Sequence, residues 1–85
     1  MPKIEIYTTS ICPFCHAAKK LLNQKGASFS EISLTAEPHL RERMVDRANG
    51  SCSVPQIFID DTHIGGCDDL YALDAKGGLD PLLRS

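Results

Sequence analysis

The chain has 85 residues, of which 42% are hydrophobic and 24% are charged, with a formal net charge of −2. These values are ordinary for a globular protein, and a chain of this length predicts one small domain over residues 1–85. The low net charge gives no reason to expect binding to nucleic acid or to a membrane. The sequence shows no secretory signal and no apolar run of roughly 18 residues. We therefore expect a complete, cytoplasmic chain.

The first half of the chain predicts a strand, a helix, a second strand and a second helix. Alternating residues predict a strand near residues 3–8, and apolar residues at helical spacing predict a helix from Pro13 to about residue 25. The second strand is predicted at residues 31–34, together with Phe29. Pro38 then opens the second helix, which is predicted to end at Asn49-Gly50.

The second half predicts a hairpin followed by helices. Residues 56–59 and 62–64 predict two strands that are joined by a tight turn at Asp60-Asp61. A helix is predicted to begin at Asp68 or Asp69, and a short helix follows it. The order βαβ and then ββα predicts an α/β fold, in which one mixed four-stranded sheet is flanked by helices.

The sequence Cys12-Pro13-Phe14-Cys15 lies between the first predicted strand and the first predicted helix. Backbone N–H groups in the first turn of a helix are unpaired, and the helix dipole there favours negative charge, so a thiolate is stabilised. Because the thiolate is the reactive form of cysteine, this position predicts a redox site. We assign Cys12 as the nucleophile and Cys15, predicted to be more buried, as the resolving thiol. A disulfide framework would need an oxidising compartment, to which nothing in the sequence directs the chain.

Three motifs, in their order and separation, resemble the glutaredoxin family, most closely its small bacterial dithiol members of the glutaredoxin 3 type. They are Cys12-Pro13-Phe14-Cys15, Ser53-Val54-Pro55-Gln56-Ile57-Phe58-Ile59 and Gly65-Gly66-Cys67-Asp68-Asp69-Leu70. The resemblance implies a thioredoxin fold, glutathione as co-substrate, and thiol–disulfide exchange with glutathionylated or disulfide-containing proteins. We expect a monomer. The chain departs from the family at Thr9, where a basic residue is common, and at Ser53, where threonine is common.

The resemblance also implies which residues contact glutathione. Val54-Pro55 is expected to be a cis-proline loop whose backbone pairs with glutathione; the alternative is an ordinary trans proline before an edge strand. The helix start at Gly66 would hold a carboxylate and Asp68 or Asp69 an ammonium, unless Asp68 only caps the helix. Phe14 either covers the site or is a partly exposed structural aromatic. The expected contacts are Thr9, Phe14, Ser53, Val54, Pro55, Gly66, Cys67, Asp68 and Asp69.

The cysteines leave other functions open. All four could form a zinc site, but Cys52 and Cys67 are too far apart in sequence to make the second short-spaced pair that structural zinc sites usually have. An iron–sulfur-bridged dimer is known among glutaredoxins, although relatives with proline after the first cysteine do not generally favour it. We expect no metal. A small interaction domain with incidental cysteines is a further possibility, and it predicts no glutathione-dependent activity.

The residues outside the motifs have simpler expectations. Cys67 is expected to be a semi-buried small residue, and Cys52 to be packed, with a secondary oxidation site as its alternative. The histidines lack metal-ligand spacing and are expected at the surface. They are His16, His39 and His63.

Overall fold

The computed structural model describes residues 2–84. Its strands are β1 (Ile4–Thr8), β2 (Ser30–Ser33), β3 (Gln56–Ile59) and β4 (Thr62–Gly65). Its α-helices are α1 (Pro13–Gln24), α2 (Arg41–Arg47), α3 (Cys67–Ala75) and α4 (Leu79–Leu83), and a 3-10 turn at Pro38–Leu40 precedes α2. Within the described residues, no helix has the length and apolar character needed to cross a bilayer.

The strands form one mixed sheet in the order β2-β1-β3-β4. β1 is parallel to β2, whereas β3 is antiparallel to both β1 and β4. The predicted α/β fold, with βαβ followed by ββα around a four-stranded sheet, is therefore confirmed.

The topology brings three loops to one end of the sheet. Tyr7, near the end of β1, pairs with Gln56, the first residue of β3. Gly65, the last residue of β4, pairs with Ile57 at the same end. The connection from β1 to α1, the loop before β3 and the connection from β4 to α3 therefore lie close together, although they are far apart in sequence.

Two local predictions differ from the structure. The segment opened by Pro38 is not one helix, because α2 begins only at Arg41. The Leu40 N–H bonds to the carbonyl of Glu37, three residues back, so this first turn is tighter than an α-helical turn. β2 spans residues 30–33 rather than 31–34, because Ser30 already pairs with β1.

Apolar side chains cover both faces of the sheet. One face packs against α1, α3 and α4 through the alternating residues Ile4, Ile6, Ile57 and Ile59. On the other face, the rings of Tyr7 and Phe58 meet edge to face with centroids 5.8 Å apart, and Met44 of α2 packs into the same cluster. The sheet is therefore the middle of three layers, and both of its faces fix the positions of the strand ends.

The Arg47 side chain ties α2 to the sheet. Its guanidinium donates hydrogen bonds to both carboxylate oxygens of Glu5, at 3.4 and 2.9 Å, and to the Tyr7 hydroxyl at 2.9 Å. The same guanidinium lies 4.1 Å from the centroid of the Phe58 ring, within cation–π range. The pKa of Glu5 is lowered, chiefly because Arg47 donates hydrogen bonds to the ionised carboxylate, although burial opposes the shift.

Replacing Arg47 with methionine should lower the free energy of unfolding at neutral pH by about 2 kcal/mol, the usual size for hydrogen bonds to a charged group. Glu5 stabilises the fold above its ordinary pKa of 4.5, and this contribution is lost as the pH falls through its lower folded pKa. The effect of Arg47→Met should therefore shrink in acid, as measured by urea unfolding over a pH series. Glu31→Gln is the matched control, because Glu31 also has a lowered pKa but does not contact Arg47. A loss for Arg47→Met that is independent of pH would contradict this account.

Candidate active site

Cys12 caps the N-terminus of α1. Its backbone is extended, with φ −150° and ψ 105°, and Pro13 occupies the first helical position. The Cys12 Sγ accepts a hydrogen bond from the Cys15 N–H at 3.4 Å, in the place that a serine or aspartate oxygen usually takes. The sulfur therefore lies where the unpaired N–H groups and the dipole of α1 favour an anion.

The surroundings of Cys12 favour its thiolate. Burial alone would raise the pKa of this half-buried thiol. Hydrogen bonds from the Cys15 side chain, from the backbone N–H groups of Cys15 and Phe14, and from the Thr9 hydroxyl outweigh burial, so the pKa is lowered. Thr9 is predicted as a glutathione contact; its hydroxyl helps to lower the pKa of Cys12, and Thr9 does not line the groove described below.

Cys15 has the opposite environment. It is 1% exposed, and burial, followed by its hydrogen bond to Cys12 and the charge of Cys12, raises the pKa of Cys15 to about 11. At neutral pH the two cysteines therefore differ: Cys12 is the more easily ionised sulfur, and Cys15 is a buried thiol that stabilises it.

The loop before β3 brings its backbone to Cys12. The Val54–Pro55 peptide bond is cis. The resemblance implies a cis bond, whereas the frequencies of X-Pro bonds alone favour a trans bond. The Val54 carbonyl lies 3.8 Å from the Cys12 Sγ. The Val54 N–H donates no hydrogen bond within residues 2–84. Val54 therefore offers both a donor and an acceptor to an extended peptide lying beside the sulfur.

The N-terminus of α3 faces this loop. The helix is predicted to begin at Asp68 or Asp69, but it begins at Cys67, with Gly66 as the N-cap. The physical reason is the Asp69 carboxylate, which accepts a hydrogen bond from the Gly66 N–H at 2.9 Å and so stabilises an earlier start. The alternative in which Asp68 only caps the helix is therefore wrong, and the Asp68 side chain is exposed.

Two glycines allow this close arrangement. Gly65 has φ +119°, which other residues rarely adopt, and a Cβ added there would collide with the Asp69 carboxylate. A Cβ added at Gly66 would lie 3.3 Å from the Pro55 carbonyl oxygen, which is tighter than most contacts in proteins. The α3 N-terminus and the cis-proline loop therefore approach each other backbone to backbone.

A groove of about 340 Å³ lies between the cis-proline loop and α3. All predicted glutathione contacts except Thr9 line it, namely Phe14, Ser53, Val54, Pro55, Gly66, Cys67, Asp68 and Asp69. Four more residues that were not among the predicted contacts also line it, namely Ser51, Gln56, His63 and Gly65. Of these four, Gln56 could have been found from the sequence, because it is a polar residue at the start of an otherwise apolar strand.

The other cysteines and histidines have varied positions. Cys67 is 8% exposed, and burial, with the charges of Asp68 and Cys12, raises its pKa. Cys52 is exposed, so its predicted packing is wrong, because its loop turns the side chain outward while its carbonyl accepts a hydrogen bond from Arg41. His63 is half-buried rather than at the surface, because β3 and β4 pair and bring it to Gln56.

The remaining predictions concern the surface and metal binding. His16 and His39 are exposed, as expected. In the stretch from residue 2 to residue 84, no group of three or more His, Cys, Asp or Glu side chains is placed so that it could hold a metal ion.

Replacing Thr9 with valine, which keeps the side-chain shape, should raise the pH midpoint of Cys12 alkylation. Valine cannot donate the hydrogen bond that helps to lower the pKa of Cys12. The wild-type midpoint should itself lie below the ordinary value of 9.0. The rate of reaction with iodoacetamide against pH, with the site of labelling identified by mass spectrometry, measures both. Thr9→Ser keeps the hydroxyl and should keep the wild-type midpoint; an unchanged midpoint in Thr9→Val would remove Thr9 from this account.

Known proteins are similar to this chain in sequence. The family model described as Glutaredoxin matches residues 4–64, which is most of the chain. The chain is 60% identical over 84 residues to Glutaredoxin 3 of Escherichia coli (strain K12), covering 99% of this chain and 100% of that relative. It is 53% identical over 85 residues to Glutaredoxin of Pseudomonas aeruginosa, and both chains are covered completely.

Solved structures are similar to this chain in fold. The solution structure of glutaredoxin from Brucella melitensis has a TM-score of 0.85 at 52% identity, covering 99% of this chain and 90% of that one. The crystal structure of the buckwheat glutaredoxin–glutathione complex has a TM-score of 0.88 at 29% identity, covering 98% of this chain and 77% of that one. The predicted thioredoxin fold is thereby confirmed. The chain belongs to the glutaredoxin family and is a thiol–disulfide oxidoreductase.

Proposed function

We propose that this enzyme uses glutathione to reduce glutathionylated proteins and protein disulfides, with Cys12 as the nucleophile and Cys15 as the resolving thiol. One observation carries the proposal. The Cys12 sulfur, whose pKa is lowered, lies 3.8 Å from the carbonyl of Val54, which lines the groove. A tripeptide seated beside Val54 would have its own sulfur next to the Cys12 thiolate. A protein of the same fold, buckwheat glutaredoxin, forms a complex with glutathione, which supports this ligand.

The groove suits each part of glutathione. The N–H and carbonyl of Val54 would pair with the backbone of the glutathione cysteine, as in the addition of a strand. The γ-glutamyl end carries a carboxylate and an ammonium. The backbone N–H groups in the first turn of α3, after Gly66, would hold the carboxylate. The exposed Asp68 would pair with the ammonium, because Asp69 is already engaged with the Gly66 N–H.

The remaining groove residues would shape the site. Phe14 is 61% exposed and lines the groove, so its ring would cover the bound tripeptide. Ser53 and Pro55 form the wall that carries Val54, and Cys67 contributes to the opposite wall. Thr9 would act through the Cys12 sulfur, not as a contact of the bound tripeptide.

The first branch of the reaction needs only Cys12. Its thiolate attacks the glutathione sulfur of a glutathionylated protein, the protein–glutathione S–S bond breaks, and the protein thiolate leaves and takes up a proton. A second glutathione, as its thiolate, then attacks the glutathione sulfur held on Cys12. Oxidised glutathione is released and the Cys12 thiolate returns.

The second branch also needs Cys15. The Cys12 thiolate attacks a protein disulfide and forms a mixed disulfide with one protein sulfur. Cys15 loses its proton and attacks the Cys12 sulfur, so the protein is released as a dithiol and a Cys12–Cys15 disulfide remains. Two glutathione molecules reduce this disulfide and leave as oxidised glutathione.

We further propose that the enzyme acts as a single-domain, metal-free monomer in the cytoplasm, where glutathione keeps thiols reduced. An iron–sulfur or zinc module would use the same cysteines. In anaerobically purified protein, visible absorbance would identify an iron–sulfur module, and the zinc content would identify a zinc module.

Replacing Cys15 with serine should spare the first branch and abolish the second. A glutathionylated peptide and a protein disulfide are compared as substrates, in an assay coupled to glutathione reductase and NADPH. Cys12→Ser should lose both activities, and Cys52→Ser, which changes an exposed cysteine outside the groove, should lose neither. Loss of both activities in Cys15→Ser would contradict the assigned roles, and absence of both in the wild type would contradict the proposed function.

Replacing Asp68 with asparagine should raise KM for the glutathionylated peptide about twofold to fivefold, near the upper end of the range for an exposed charged pair. The change removes the negative charge proposed to meet the ammonium and leaves the Asp69 cap in place. Steady-state kinetics measures KM. Asp46→Asn, an equal change of charge at an exposed position on α2, is the control. Equal KM values for Asp68→Asn and Asp46→Asn would remove Asp68 from the binding site.

A further inference from the structure

The loop that carries Val54 has no regular secondary structure. Residues 51–54 lie between α2 and β3 and belong to neither a helix nor a strand. Yet Val54 approaches the Cys12 sulfur to 3.8 Å and lines the groove. A segment of this kind keeps a fixed backbone only where side chains or neighbouring backbone groups bind it.

The Gln56 side chain binds this loop from within. Gln56 is 2% exposed, and its amide turns back toward the residues that precede Pro55. Its Nε2 donates to the Ser53 carbonyl at 3.0 Å, to the Ser51 hydroxyl at 3.0 Å and to the Ser53 hydroxyl at 3.3 Å. One buried amide therefore binds both Ser51 and Ser53 in the segment immediately before Val54.

His63 fixes the orientation of the same amide. A backbone carbonyl can only accept a hydrogen bond, so the group facing the Ser53 carbonyl must be the NH₂ of Gln56 and the other group its Oε1. The Oε1 lies 2.6 Å from the Nε2 of His63, which must therefore carry the hydrogen and donate it. The His63 ring is held in turn against Phe58, with ring centroids 5.1 Å apart.

We propose that Gln56 is a positioning residue for the glutathione groove and that His63 is its anchor. This inference rests on the proposed function of the groove. Gln56 holds residues 51–53 in place, and these residues hold the N–H and carbonyl of Val54 where the cysteine of glutathione would pair with them. His63 acts through Gln56, by stopping its amide from rotating away from the loop.

This role predicts a specific kinetic result. The hydrogen bonds that lower the pKa of Cys12 come from Thr9, Phe14 and Cys15. The loop that Gln56 holds presents only the Val54 carbonyl to the sulfur, at 3.8 Å, and this acceptor is not among them. Loss of the Gln56 amide should therefore impair binding in the groove without changing the reactivity of Cys12 toward a small reagent that does not use the groove. KM should change, and the alkylation rate should not.

The test compares Gln56→Leu, which removes the amide at similar size, with the wild type. We expect KM for a glutathionylated peptide to rise about tenfold, while kcat and the rate of Cys12 alkylation by iodoacetamide stay within about twofold. His63→Phe keeps a ring against Phe58 but removes the donor, and it should raise KM about threefold. It also keeps the test decisive if Gln56→Leu does not fold.

Thr8→Val is the matched control. Thr8 is 1% exposed, and its hydroxyl donates to Glu31 at 2.7 Å, so this variant also loses a buried hydrogen bond but lies outside the groove. It should leave KM unchanged. The proposal is overturned if KM stays within twofold of wild type in both the Gln56 and His63 variants, or if Gln56→Leu changes KM only as much as Thr8→Val. If the wild type does not turn over the glutathionylated peptide at all, the proposed function itself fails.

Discussion

One hydrogen bond, from the Cys15 N–H to the Cys12 sulfur, joins the fold of this protein to its chemistry. The bond caps α1, and it also stabilises the negative charge that makes Cys12 reactive. Because the pKa of Cys12 is lowered, the ionised sulfur and the helix stabilise each other. The position of α1 on the sheet therefore sets both where the sulfur lies and how readily it ionises. A ligand bound in the groove can take part in the proposed reaction only because the groove lies beside this sulfur.

In the proposed mechanism, the same pair of sulfurs also sets the order of the two chemical steps. The pKa of Cys15 is raised to about 11 first by burial, and then by its hydrogen bond to Cys12 and the charge of Cys12. When Cys12 forms a mixed disulfide, its charge disappears and the last of these causes is removed. Lys19, whose charge lowers the pKa of Cys15, still acts. In the proposed mechanism, Cys15 therefore ionises more easily once Cys12 has reacted, which is when the proposed resolving step uses its thiolate.

The local sequence pattern was sufficient to predict most of the fold. The alternation in β1 and the helical spacing after Pro13 depend on residues within one element, and both elements are where the sequence predicts them. Position relative to a helix start likewise predicted the difference between Cys12 and Cys15. The start of α3 was mispredicted because it depends on one side-chain bond, from Asp69 back to Gly66, and not on spacing. The cis bond before Pro55 was predicted from the resemblance, since the frequencies of X-Pro bonds alone favour a trans bond.

The parts of the site that depend on tertiary contacts could not be predicted from the sequence pattern. Gln56 and His63 meet only because β3 and β4 pair, and a lone histidine with no metal-ligand spacing gives no sign of such a partner. Cys52 was expected to pack because free cysteines are often buried, but its loop turns it outward. Thr9 is another case, since its position directly after β1 does not reveal that its hydroxyl helps to lower the pKa of Cys12.

The charges around the site favour an anion at Cys12 and suit the ligand that we propose. The start of α1 favours an anion at Cys12, whereas the start of α3 carries Asp68, whose charge, after burial, raises the pKa of Cys67. Cys67, which lines the groove, therefore stays protonated, whereas Cys12 beside the groove ionises more easily. A simple anion would meet the N–H groups of α3 but also the repulsion of Asp68. A ligand that carries an ammonium beside its carboxylate satisfies both, and the γ-glutamyl end of glutathione has this pair of charges.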